Sequence, residues 1–499
     1  MSILVHKEIS LEKYFGPFRD NVIGNREKFI SPYGEKEIIY ADWTASGRLY
    51  RPIEKIISDQ LGPYVGNTHT ETTVTGTAMT KAYHKAHKII KSHVNASSKD
   101  VIITTDSGMT GVVNKFQRIL GLKIPENLQT KVNISDKERP VVFVTHMEHH
   151  SNHTSWLETM ADVECIMPSE NGLINLNNLE TLLNKYADRE TKIASITACS
   201  NVTGIHTDYH AIARVVHQHG GLCFVDFACS APYEKINMHP ENPEEKLDAI
   251  YFSPHKFLGG PGSTGVLIFD SILYKNRVPD QVGGGTVAWT NPWGEHKFFD
   301  DIEIREDGGT PAFLQTVKAA LAIKLKEKMG IERILEREKE LVERVFQGLT
   351  GIESLHIMAG DIQDRLAVIS FYIDDFHYNL VVKLLNDRFG IQTRGGCSCA
   401  GTYGHYLLHI PRPVSHSITS KIDHGHLEEK PGWVRMSLHP VMTNEEVDYI
   451  LDAIKLTIEN KDIWSKDYVY NSSKNEFYHK NSSESGDQSK KWFDPDLLD

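Results

Sequence analysis

The chain has few cysteines, no excess of positive charge and no long apolar run. Six cysteines among 499 residues are too few for a disulfide framework. The net charge of −12 offers no basic surface for DNA, RNA or an anionic membrane. No apolar stretch reaches the roughly 18 residues of a membrane-spanning helix, and residues 1–15 lack the hydrophobic core of a secretory signal. We therefore expect a cytoplasmic protein with reduced thiols and with neither a nucleic-acid nor a membrane partner.

Short apolar runs alternate with helical patterns between about Tyr40 and Pro292. The runs are rich in β-branched and aromatic residues, and the stretches between them, such as YHAIARVVHQHGG, carry apolar residues at helical spacing. This alternation predicts an α/β fold with a mainly parallel sheet and helices on both faces. In such folds ligands bind beyond the carboxyl ends of the strands. The predicted strands are VIITT, PVVFVTH, IASITAC, LCFVDFA, AIYFSP and TGVLIF.

The chain is too long for one compact core, so two domains are expected. The apolar runs LAVISFYI and WVRMSLHP, with the helical patterns beside them, predict a smaller α+β domain that begins with one long helical stretch at 313–348. The last segment is polar, which predicts a tail that is disordered at least in part. The predicted parts are an N-terminal helix and loop at 1–37, the large domain at 38–295, the small domain at 296–462 and the tail at 463–499.

Lys256 stands between two predicted strands, beside His255 and a glycine-rich turn. Burial lowers the pKa of an amine and favours Schiff-base chemistry, which would explain a lysine at this position. Asp226 ends the apolar run GGLCFVDFA and could hold a protonated pyridine nitrogen. Together the two residues suggest pyridoxal phosphate (PLP), to which proteins contribute a lysine and an acidic partner. A helix cap and an ordinary glycine-rich turn are the simpler alternative.

Several further motifs follow one another in the order of a single enzyme family. IIYADWTASGRLY, DSGMTGVVN, HMEHHSN, ACSNVTG, SPHK and GGTPAF lie between about residues 38 and 460. On these motifs the chain resembles aminotransferase class V, a fold-type I PLP family with a large domain and a smaller C-terminal domain. Within that family it most resembles the Suf-type branch of the cysteine desulfurase and selenocysteine lyase group. The resemblance implies a PLP enzyme that works as a homodimer.

The resemblance also implies a role for each matching residue. Lys256 is the Schiff-base lysine, and His149 is the histidine that stacks on the cofactor ring and transfers protons. Arg394 and Arg435 grip the substrate carboxylate, for which the fork of a guanidinium is suited. The other implied cofactor contacts are Asp226 at the pyridine nitrogen, Asn201 at the ring hydroxyl, Gly108, Met109, Thr110, Ser253 and His255 at the phosphate, and Thr310 at the phosphate in the neighbouring subunit. A helix that opens near Gly108 would present free backbone N–H groups to that phosphate.

The segment RGGCSCAG decides which chemistry the resemblance implies. Cys399 lies five residues after Arg394, the position of the thiolate that takes sulfur from substrate cysteine in Suf-type enzymes. Cys397 is an extra thiol, and both cysteines could instead be packing residues. Cys397, Cys399, His405 and His409 could also form a zinc set, but their spacing lacks the separated pairs of structural zinc sites. We expect no metal here.

Three positions depart from the pattern of the group. Cys229, in VDFAC, stands where the group has a glutamine hydrogen-bonded to the cofactor, and a thiol is a weaker donor and acceptor. Met109 stands where a threonine of the phosphate loop is common. Arg435 follows Cys399 by 36 residues, because a segment rich in proline, histidine and charge is inserted near 403–431. We interpret the insertion as a loop that covers the site, enlarges it or meets a partner.

The leading interpretation is a PLP-dependent cysteine desulfurase that acts on L-cysteine, carries a persulfide on Cys399 and releases alanine. A sulfur-acceptor protein is the further partner that this reaction implies. The departures leave two alternatives open. One is another class V enzyme, such as a C–S or C–Se lyase, an epimerase or an aminotransferase, with a different amino acid as substrate. The other is a sulfur-relay or regulatory scaffold with little turnover.

Overall fold

Strands occur along most of the computed structural model, which describes residues 9–481 and 489–498. They are, in chain order, β1 Lys28–Ser31, β2 Gly34–Glu37, β3 Ile39–Tyr40, β4 Asp100–Thr105, β5 Val141–Thr145, β6 Asp162–Ile166, β7 Lys192–Thr197, β8 Leu222–Asp226, β9 Ala249–Phe252, β10 Gly265–Asp270, β11 Val287–Thr290, β12 His296–Phe298, β13 Leu355–Ile357, β14 Val368–Ile373, β15 Ile391–Gln392, β16 Arg394–Gly396, β17 Trp433–Ser437, β18 Tyr468–Asn471 and β19 Glu476–His479.

Helices separate most of these strands. They are α1 Leu11–Arg19, α2 Arg51–Lys55, α3 Val74–His93, α4 Gly108–Ile119, α5 Glu126–Gln129, α6 His150–Leu157, α7 Leu176–Lys185, α8 Tyr209–Gln218, α9 Ile302–Arg305, α10 Phe313–Met329, α11 Ile331–Leu349, α12 Tyr378–Phe389, α13 Gly401–Leu407, α14 Arg412–Asp423, α15 Asn444–Glu459, α16 Lys461–Trp464 and α17 Ser489–Trp492. Within the described ranges, none of them combines the length and the apolar character that a bilayer crossing requires.

The central sheet has seven strands in the order β4-β10-β9-β8-β7-β5-β6. Every neighbouring pair from β9 to β6 is parallel, and only β10 runs against its neighbours. The mainly parallel sheet predicted from the alternating pattern is therefore confirmed. Strand β6 was not predicted; its residues Asp162–Ile166 alternate polar and apolar side chains at the sheet edge. An edge strand that is only half-buried carries no continuous apolar run for a sequence to show.

Both faces of this sheet are buried, as the near-continuous apolar runs predict. Along β5, Val141 and Phe143 join one hydrophobic cluster, while Val142 and Val144 join a second cluster on the other face. All four side chains are fully buried. Helices cover both faces of the sheet, so a ligand can approach only at the ends of the strands. There β5, β7, β8 and β9 end side by side.

The smaller domain is built on an antiparallel sheet in the order β13-β14-β17-β16. The predicted strands LAVISFYI and WVRMSLHP contain β14 and β17, which are paired at its centre. Arg394 in β16 and Arg435 in β17 are direct cross-strand partners. The short strand β3, near the start of the chain, pairs in parallel with β15 and so belongs to this part of the molecule. This pairing brings residues just after β3 next to the two arginines.

The helical stretch at 313–348 differs from the prediction of one long helix. Gly330 divides it into α10 and α11, and its φ of +82° lies in the region that favours glycine. The periodic apolar pattern continues across the break, because both helices bury one face against the core. A sequence pattern alone therefore does not reveal the change of direction at Gly330.

The inserted segment also differs from the loop that its composition suggested. It forms α13 and α14, and a proline in the first turn of α14 is compatible with a helix start. Part of the predicted polar tail forms the hairpin β18–β19, where Tyr468 donates to Asp387 Oδ2 at 2.9 Å. Residues 1–8 of the predicted N-terminal helix and residues 482–488 of the predicted tail lie outside the described residues.

His439 provides a test of the packing around β3. Its ring is 3% exposed and stacks on Trp43 with 4.2 Å between ring centres, and burial lowers its pKa to about 3. Below the unfolded-state pKa of about 6.5, the unfolded chain binds a proton that the folded chain does not, so this residue makes folding less favourable as the pH falls. We expect His439→Phe to remove that dependence. Between pH 7.5 and pH 5, the free energy of unfolding should fall by about 2 kcal/mol less in the variant than in the wild type.

Urea unfolding at the two pH values measures this difference. The exposed His296, replaced in the same way, is the matched control, because its side chain is in water in both states. An equal fall in the wild type and in His439→Phe would contradict the burial of a neutral imidazole at this position.

Candidate active site

A cavity of about 220 Å³ lies where the strand ends of the large domain face the small domain. It brings together residues from distant parts of the chain, from Thr44 to Arg435. The sequence-predicted residues on its wall are Met109, Thr110, His149, Asn201, Asp226, Cys229, Ser253, His255, Lys256, Arg394, Cys399 and Arg435. Gly108 lies beside this wall at the start of α4, and the exposed Thr310 lies in the loop before α10, away from it.

Lys256 ends a single 3₁₀ turn, Pro254–Lys256, that follows β9. The turn can pack closely because Gly260 has no side chain, since a β-carbon there would lie 1.9 Å from the carbonyl oxygen of Pro254. Among the described residues, the Lys256 ammonium has no hydrogen bond or ion pair. Burial lowers its pKa, and the charges of Cys229 and Asp226 oppose that shift. Burial therefore favours loss of the proton from this amine, which Schiff-base formation requires.

Asp226 is the last residue of β8 and is 3% exposed. Its Oδ1 accepts a hydrogen bond from the backbone N–H of Ala228 at 2.8 Å, and Oδ2 has no hydrogen bond within the described residues. Burial raises its pKa to about 6, while the positive charge of Lys256 acts in the opposite direction. A buried carboxyl with one free oxygen is suited to a ligand that brings its own N–H⁺ group.

His149 caps the N-terminus of α6 with its ring. Its Nδ1 accepts the backbone N–H of Ser151 at 3.1 Å, so the neutral ring carries its proton on Nε2. Burial, helped by the charge of Lys256, lowers the pKa of His149 to about 3. The imidazole is therefore neutral over the working pH range and has one donor to offer the cavity.

Glu148, which was not among the predicted site residues, holds the turn that carries His149. Its Oε1 accepts from the backbone N–H of Thr197 at 2.8 Å and from the Thr145 hydroxyl at 2.6 Å, and its Oε2 accepts from Asn152 Nδ2 at 2.8 Å. Burial raises its pKa to about 8. These bonds connect the end of β5 to the end of β7. They thereby fix the position of the neighbouring residue His149 relative to the strand ends.

The N-terminus of α4 forms another part of the cavity wall. The helix begins at Gly108, whose φ is +61°, and a β-carbon there would lie 3.2 Å from Ser253 Oγ. The backbone N–H of Met109 donates to Ser253 Oγ at 2.7 Å, and Thr110 Oγ1 lies 2.7 Å from Ser151 Oγ. A helix N-terminus ringed by hydroxyl groups is suited to a phosphate.

Asp42 lies between the two arginines. Its Oδ1 is 2.8 Å from Arg435 Nη2, and its Oδ2 is 3.0 Å from Arg394 Nε. Arg435 is 3% exposed and also donates from Nη1 to the backbone oxygen of Asn201 at 3.2 Å. The side chain of Arg394 is 50% exposed, and within the described residues its two Nη groups make no hydrogen bond. Asp42 lies in the motif YADW, just after β3. A polar residue directly after a strand was the sequence signal that could have identified it as a site residue.

Cys399 lies on a loop that hydrogen bonds from Asn201, Trp433 and His150 hold in place. Asn201 Nδ2 donates to the backbone oxygen of Ser398 at 2.7 Å, Trp433 Nε1 donates to Ser398 Oγ at 3.2 Å, and the N–H of His150 donates to the backbone oxygen of Cys399 at 2.8 Å. The φ angles of Ser398 and Cys399 are 51° and 56°, in the left-handed region that such residues seldom adopt. The loop therefore stores strain and presents Cys399, which is exposed, to the cavity.

The remaining cysteines of this region differ from Cys399. Cys397 packs against the small cluster around Trp433 and does not line the cavity. Cys229 lines it and is buried, and its thiol donates to the backbone oxygen of Ser200 at 3.6 Å. A hydrogen bond with Cys199 lowers the pKa of Cys229, against the effect of burial. Among the described residues, no group of three or more His, Cys, Asp or Glu side chains is arranged to hold a metal ion.

These residues fit the PLP that the sequence predicts. The cavity offers an unpaired amine at Lys256, a carboxyl with a free oxygen at Asp226 and, at the start of α4, a helix N-terminus suited to a phosphate. Thr44 adds a buried hydroxyl on the cavity wall that has no hydrogen-bond partner. Each unmet group corresponds to a part of PLP: its aldehyde, its pyridine nitrogen and its polar substituents.

Known proteins resemble this chain in sequence and in fold. A probable cysteine desulfurase of Staphylococcus aureus (strain Mu50 / ATCC 700699) is 27% identical over 428 residues, which cover 85% of this chain and 93% of the relative. The probable cysteine desulfurase of Staphylococcus epidermidis (strain ATCC 12228 / FDA PCI 1200) is 28% identical over 430 residues, with the same coverage. The apo structure of a cysteine desulfurase from Thermococcus onnurineus NA1 superposes with a TM-score of 0.71 and 22% identity, over 89% of this chain and 98% of that one.

A further structure has the same fold. The cysteine desulfurase CsdA of Escherichia coli, in an S-sulfonic acid form, superposes with a TM-score of 0.68 and 20% identity, over 89% of this chain and 98% of that one. The fold-type I architecture predicted from the motifs is thereby confirmed. The family model described as aminotransferase class-V matches residues 39–450, which include the cavity residues from Thr44 to Arg435. The chain therefore belongs to aminotransferase class V and is a PLP-dependent enzyme.

Proposed function

We propose that the chain is a cysteine desulfurase, which removes the sulfur of L-cysteine and releases alanine. One observation carries the proposal: an exposed thiol, Cys399, lies on a strained and pinned loop in the same cavity as Lys256 and the arginine pair. A thiol in that place can reach a substrate whose amino group is at Lys256 and whose carboxylate is at the arginines. The relatives named as probable cysteine desulfurases support the same reaction.

The proposed cofactor contacts follow from the polar groups of the cavity that have no partner in the protein. Lys256 would take the PLP aldehyde, Asp226 the pyridine nitrogen, and the N-terminus of α4 with Ser253 the phosphate. His149 lines the same wall and would lie against the ring. Asn201 holds the Cys399 loop through Ser398, so a second contact to the ring hydroxyl stays a prediction. When bound, PLP draws electrons from the α-carbon of the substrate and so weakens the bonds around it.

The chain's own residues orient the substrate and move its protons. Arg435 and Arg394 bind the α-carboxylate through N–H groups that the protein leaves free. Lys256, whose pKa burial lowers, accepts and returns a proton at the substrate α-carbon. His149 carries a proton on Nε2 and can donate it within the cavity. The fixed positions of these groups lower the cost of bringing them together.

Cys399 takes the sulfur. Its thiolate forms the new S–S bond while the bond between the β-carbon and sulfur of the substrate breaks. The electron pair of the broken bond stays with the carbon skeleton, which gains a proton there and leaves as alanine. Cys399 then holds a persulfide, which a reductant or an acceptor thiol removes. Cys399 already lines the cavity, so its thiol is in place before the substrate binds.

The oligomeric state of the protein, its protein partner and its cellular compartment can be proposed as well. We propose a homodimer, in which the exposed Thr310 reaches the neighbouring active site, and a sulfur-acceptor protein that unloads Cys399. Six cysteines without a disulfide are compatible with a reducing compartment such as the cytoplasm. Analytical ultracentrifugation tests the dimer, and Thr310→Ala, which should weaken PLP retention only in a dimer, tests the shared site.

The reaction is tested with L-cysteine and a thiol reductant. We expect alanine and sulfide to be released in equal amounts by the PLP-loaded enzyme, because each sulfur transferred leaves one alanine skeleton. Sulfide is measured colorimetrically and alanine by amino-acid analysis. L-Serine, which replaces the thiol by a hydroxyl, is the matched control and should give neither product. Release of pyruvate and sulfide without alanine would replace the proposal with a β-lyase.

A further inference from the structure

Cys199 and Cys229 both line the cavity, beyond the ends of two neighbouring strands. Thr197 and Asp226 are the last residues of β7 and β8, and they are direct partners in the parallel pairing. The backbone N–H of Ala198 continues this pairing by donating to the backbone oxygen of Asp226 at 2.9 Å. Neighbouring strands lie about 4.8 Å apart, which is within the range of Cα separations that disulfides span. The fold therefore places the two cysteines side by side.

The two thiol groups share one hydrogen-bond acceptor. The thiol of Cys199 donates to the backbone oxygen of Ser200 at 3.7 Å, and the thiol of Cys229 donates to the same oxygen at 3.6 Å. Both residues are buried, with 1% and 4% of their surface exposed, and both are free cysteines. Rotation about their Cα–Cβ bonds would turn the two sulfur atoms towards each other without a shift of either strand.

The surroundings make these two thiols chemically different. A hydrogen bond with Cys199 lowers the pKa of Cys229, and the positive charges of Lys256 and Arg435 act in the same direction against burial. Burial raises the pKa of Cys199 well above its usual value. Thiolates are the nucleophiles in cysteine oxidation, and a second thiol beside the reactive one completes a redox pair. Cys229 is thus suited to react first and Cys199 to complete the bond.

We propose that Cys199 and Cys229 are a redox-active pair, which hydrogen peroxide converts to a reversible disulfide that weakens the binding of PLP. The thiolate of Cys229 attacks one peroxide oxygen and the O–O bond breaks. A sulfenic acid forms on Cys229, and the departing hydroxide takes up a proton to become water. Cys199 then attacks the sulfur of Cys229, and the S–O bond breaks as hydroxide leaves with the proton of Cys199. Two thiols lose two electrons, which the peroxide gains, and an added dithiol reverses the change.

The expected effect on PLP comes from the residues between Asp226 and Cys229. The backbone N–H of Ala228 donates to Asp226 Oδ1 at 2.8 Å and so orients the carboxyl that is assigned to the pyridine nitrogen. A covalent bond that draws Cys229 towards Cys199 pulls on Ala228 and disturbs this hydrogen bond. It also removes from the wall a thiol that can contact the cofactor. The inference does not depend on the desulfurase reaction, because it concerns only the cofactor site.

Peptide mapping tests whether the disulfide forms. Protein with and without bound PLP is treated with hydrogen peroxide, and the remaining free thiols are alkylated. Digestion with trypsin and chymotrypsin without reductant separates Cys229 from Cys223, because phenylalanines lie between them. We expect the peptides of Cys199 and Cys229 to be linked with the loss of two hydrogen atoms, and dithiothreitol to remove the link. Alkylation of both thiols in both forms, or oxidation of Cys229 without this link, would overturn the proposal.

PLP titration tests the effect on the cofactor site. We expect the dissociation constant of PLP to rise about fivefold or more after peroxide treatment of the wild type and to recover after dithiothreitol. Cys229→Ser cannot form the disulfide, so peroxide should leave its dissociation constant unchanged. Cys223→Ala is the matched control for a buried thiol outside the cavity, and Cys399→Ala excludes the exposed thiol; both should respond to peroxide as the wild type does.

The mapping result requires no variant and so decides the proposal even if Cys229→Ser does not fold. A disulfide that forms without a change in PLP affinity would overturn the link between this pair and the cofactor. A loss of PLP affinity that also occurs in Cys229→Ser, or that is absent from Cys399→Ala, would assign the peroxide effect to a different thiol. Release of alanine and sulfide from L-cysteine is measured separately, so the desulfurase proposal and this inference can fail independently.

Discussion

Lys256→Ala is expected to abolish turnover of L-cysteine, with a loss of at least about a thousandfold. Lys256 is the only lysine on the cavity wall formed by the described residues. Burial lowers the pKa of its amine, which favours the reactive neutral form. The variant loses both the covalent attachment of PLP and the group that moves the proton at the α-carbon. Alanine and sulfide release measures the activity, and borohydride reduction followed by peptide mapping locates the attached PLP.

Lys256→Arg separates the charge of this residue from its chemistry. Arginine keeps a positive charge beside Asp226, but its guanidinium stays protonated and cannot attack an aldehyde. We expect this variant to be as inactive as Lys256→Ala, while its fold is closer to that of the wild type because a positive charge stays near the buried carboxyl of Asp226. Substantial activity in Lys256→Arg, or reductive labelling at a different lysine, would remove Lys256 from its assigned role.

Cys399→Ala is expected to reduce sulfide release by about a hundredfold or more while L-alanine still binds. The substitution is well suited to the site, because alanine and cysteine both carry a β-carbon and meet the same backbone cost at the φ of 56°. The change therefore removes the sulfur atom and leaves the loop. Mass spectrometry of the wild type after a single addition of L-cysteine should find one extra sulfur atom on the peptide that contains Cys399.

Cys397→Ala is the matched control for this result. Cys397 lies two residues earlier on the same loop, but it packs against the cluster around Trp433 and does not line the cavity. We expect it to retain most of the activity and all of the persulfide. If the extra sulfur is found on Cys397, or if Cys399→Ala keeps full activity, the thiol that takes the sulfur has to be sought elsewhere on the cavity wall, with Cys229 as the next candidate.

The large domain was the most predictable part of the structure. Strands such as Val141–Thr145 are buried on both faces, so they appear in the sequence as unbroken apolar runs. The polar residues that follow them, His149, Asp226 and Lys256, meet in one cavity because parallel strands end on the same side. The half-buried strand Asp162–Ile166 was missed, since its alternating pattern is also that of an exposed segment.

The parts that were not predicted depend on a local backbone conformation or on contacts between residues far apart in sequence. Gly330 ends a helix through its left-handed backbone, while the apolar spacing around it continues unchanged. Asp42 was part of a recognised motif, but its bridge to Arg394 and Arg435 exists only once the small-domain sheet has formed. Glu148 stood beside the predicted His149 and was overlooked, because a sequence gives no sign that a glutamate is buried and accepts several hydrogen bonds.

The pairing of β3 with β15 has a consequence for the order in which the protein folds. The bonds from Asp42 span 352 residues to Arg394 and 393 residues to Arg435, so they join nearly the two ends of the enzyme domain. During synthesis the large domain can fold as soon as its own strands have left the ribosome. The substrate-binding end cannot form until β17 has been made, and closing loops of that length is slow. A nascent or truncated chain that lacks β17 can thus contain the lysine and the cofactor pocket but has no complete place for a substrate, which delays catalytic competence until β17 has been made.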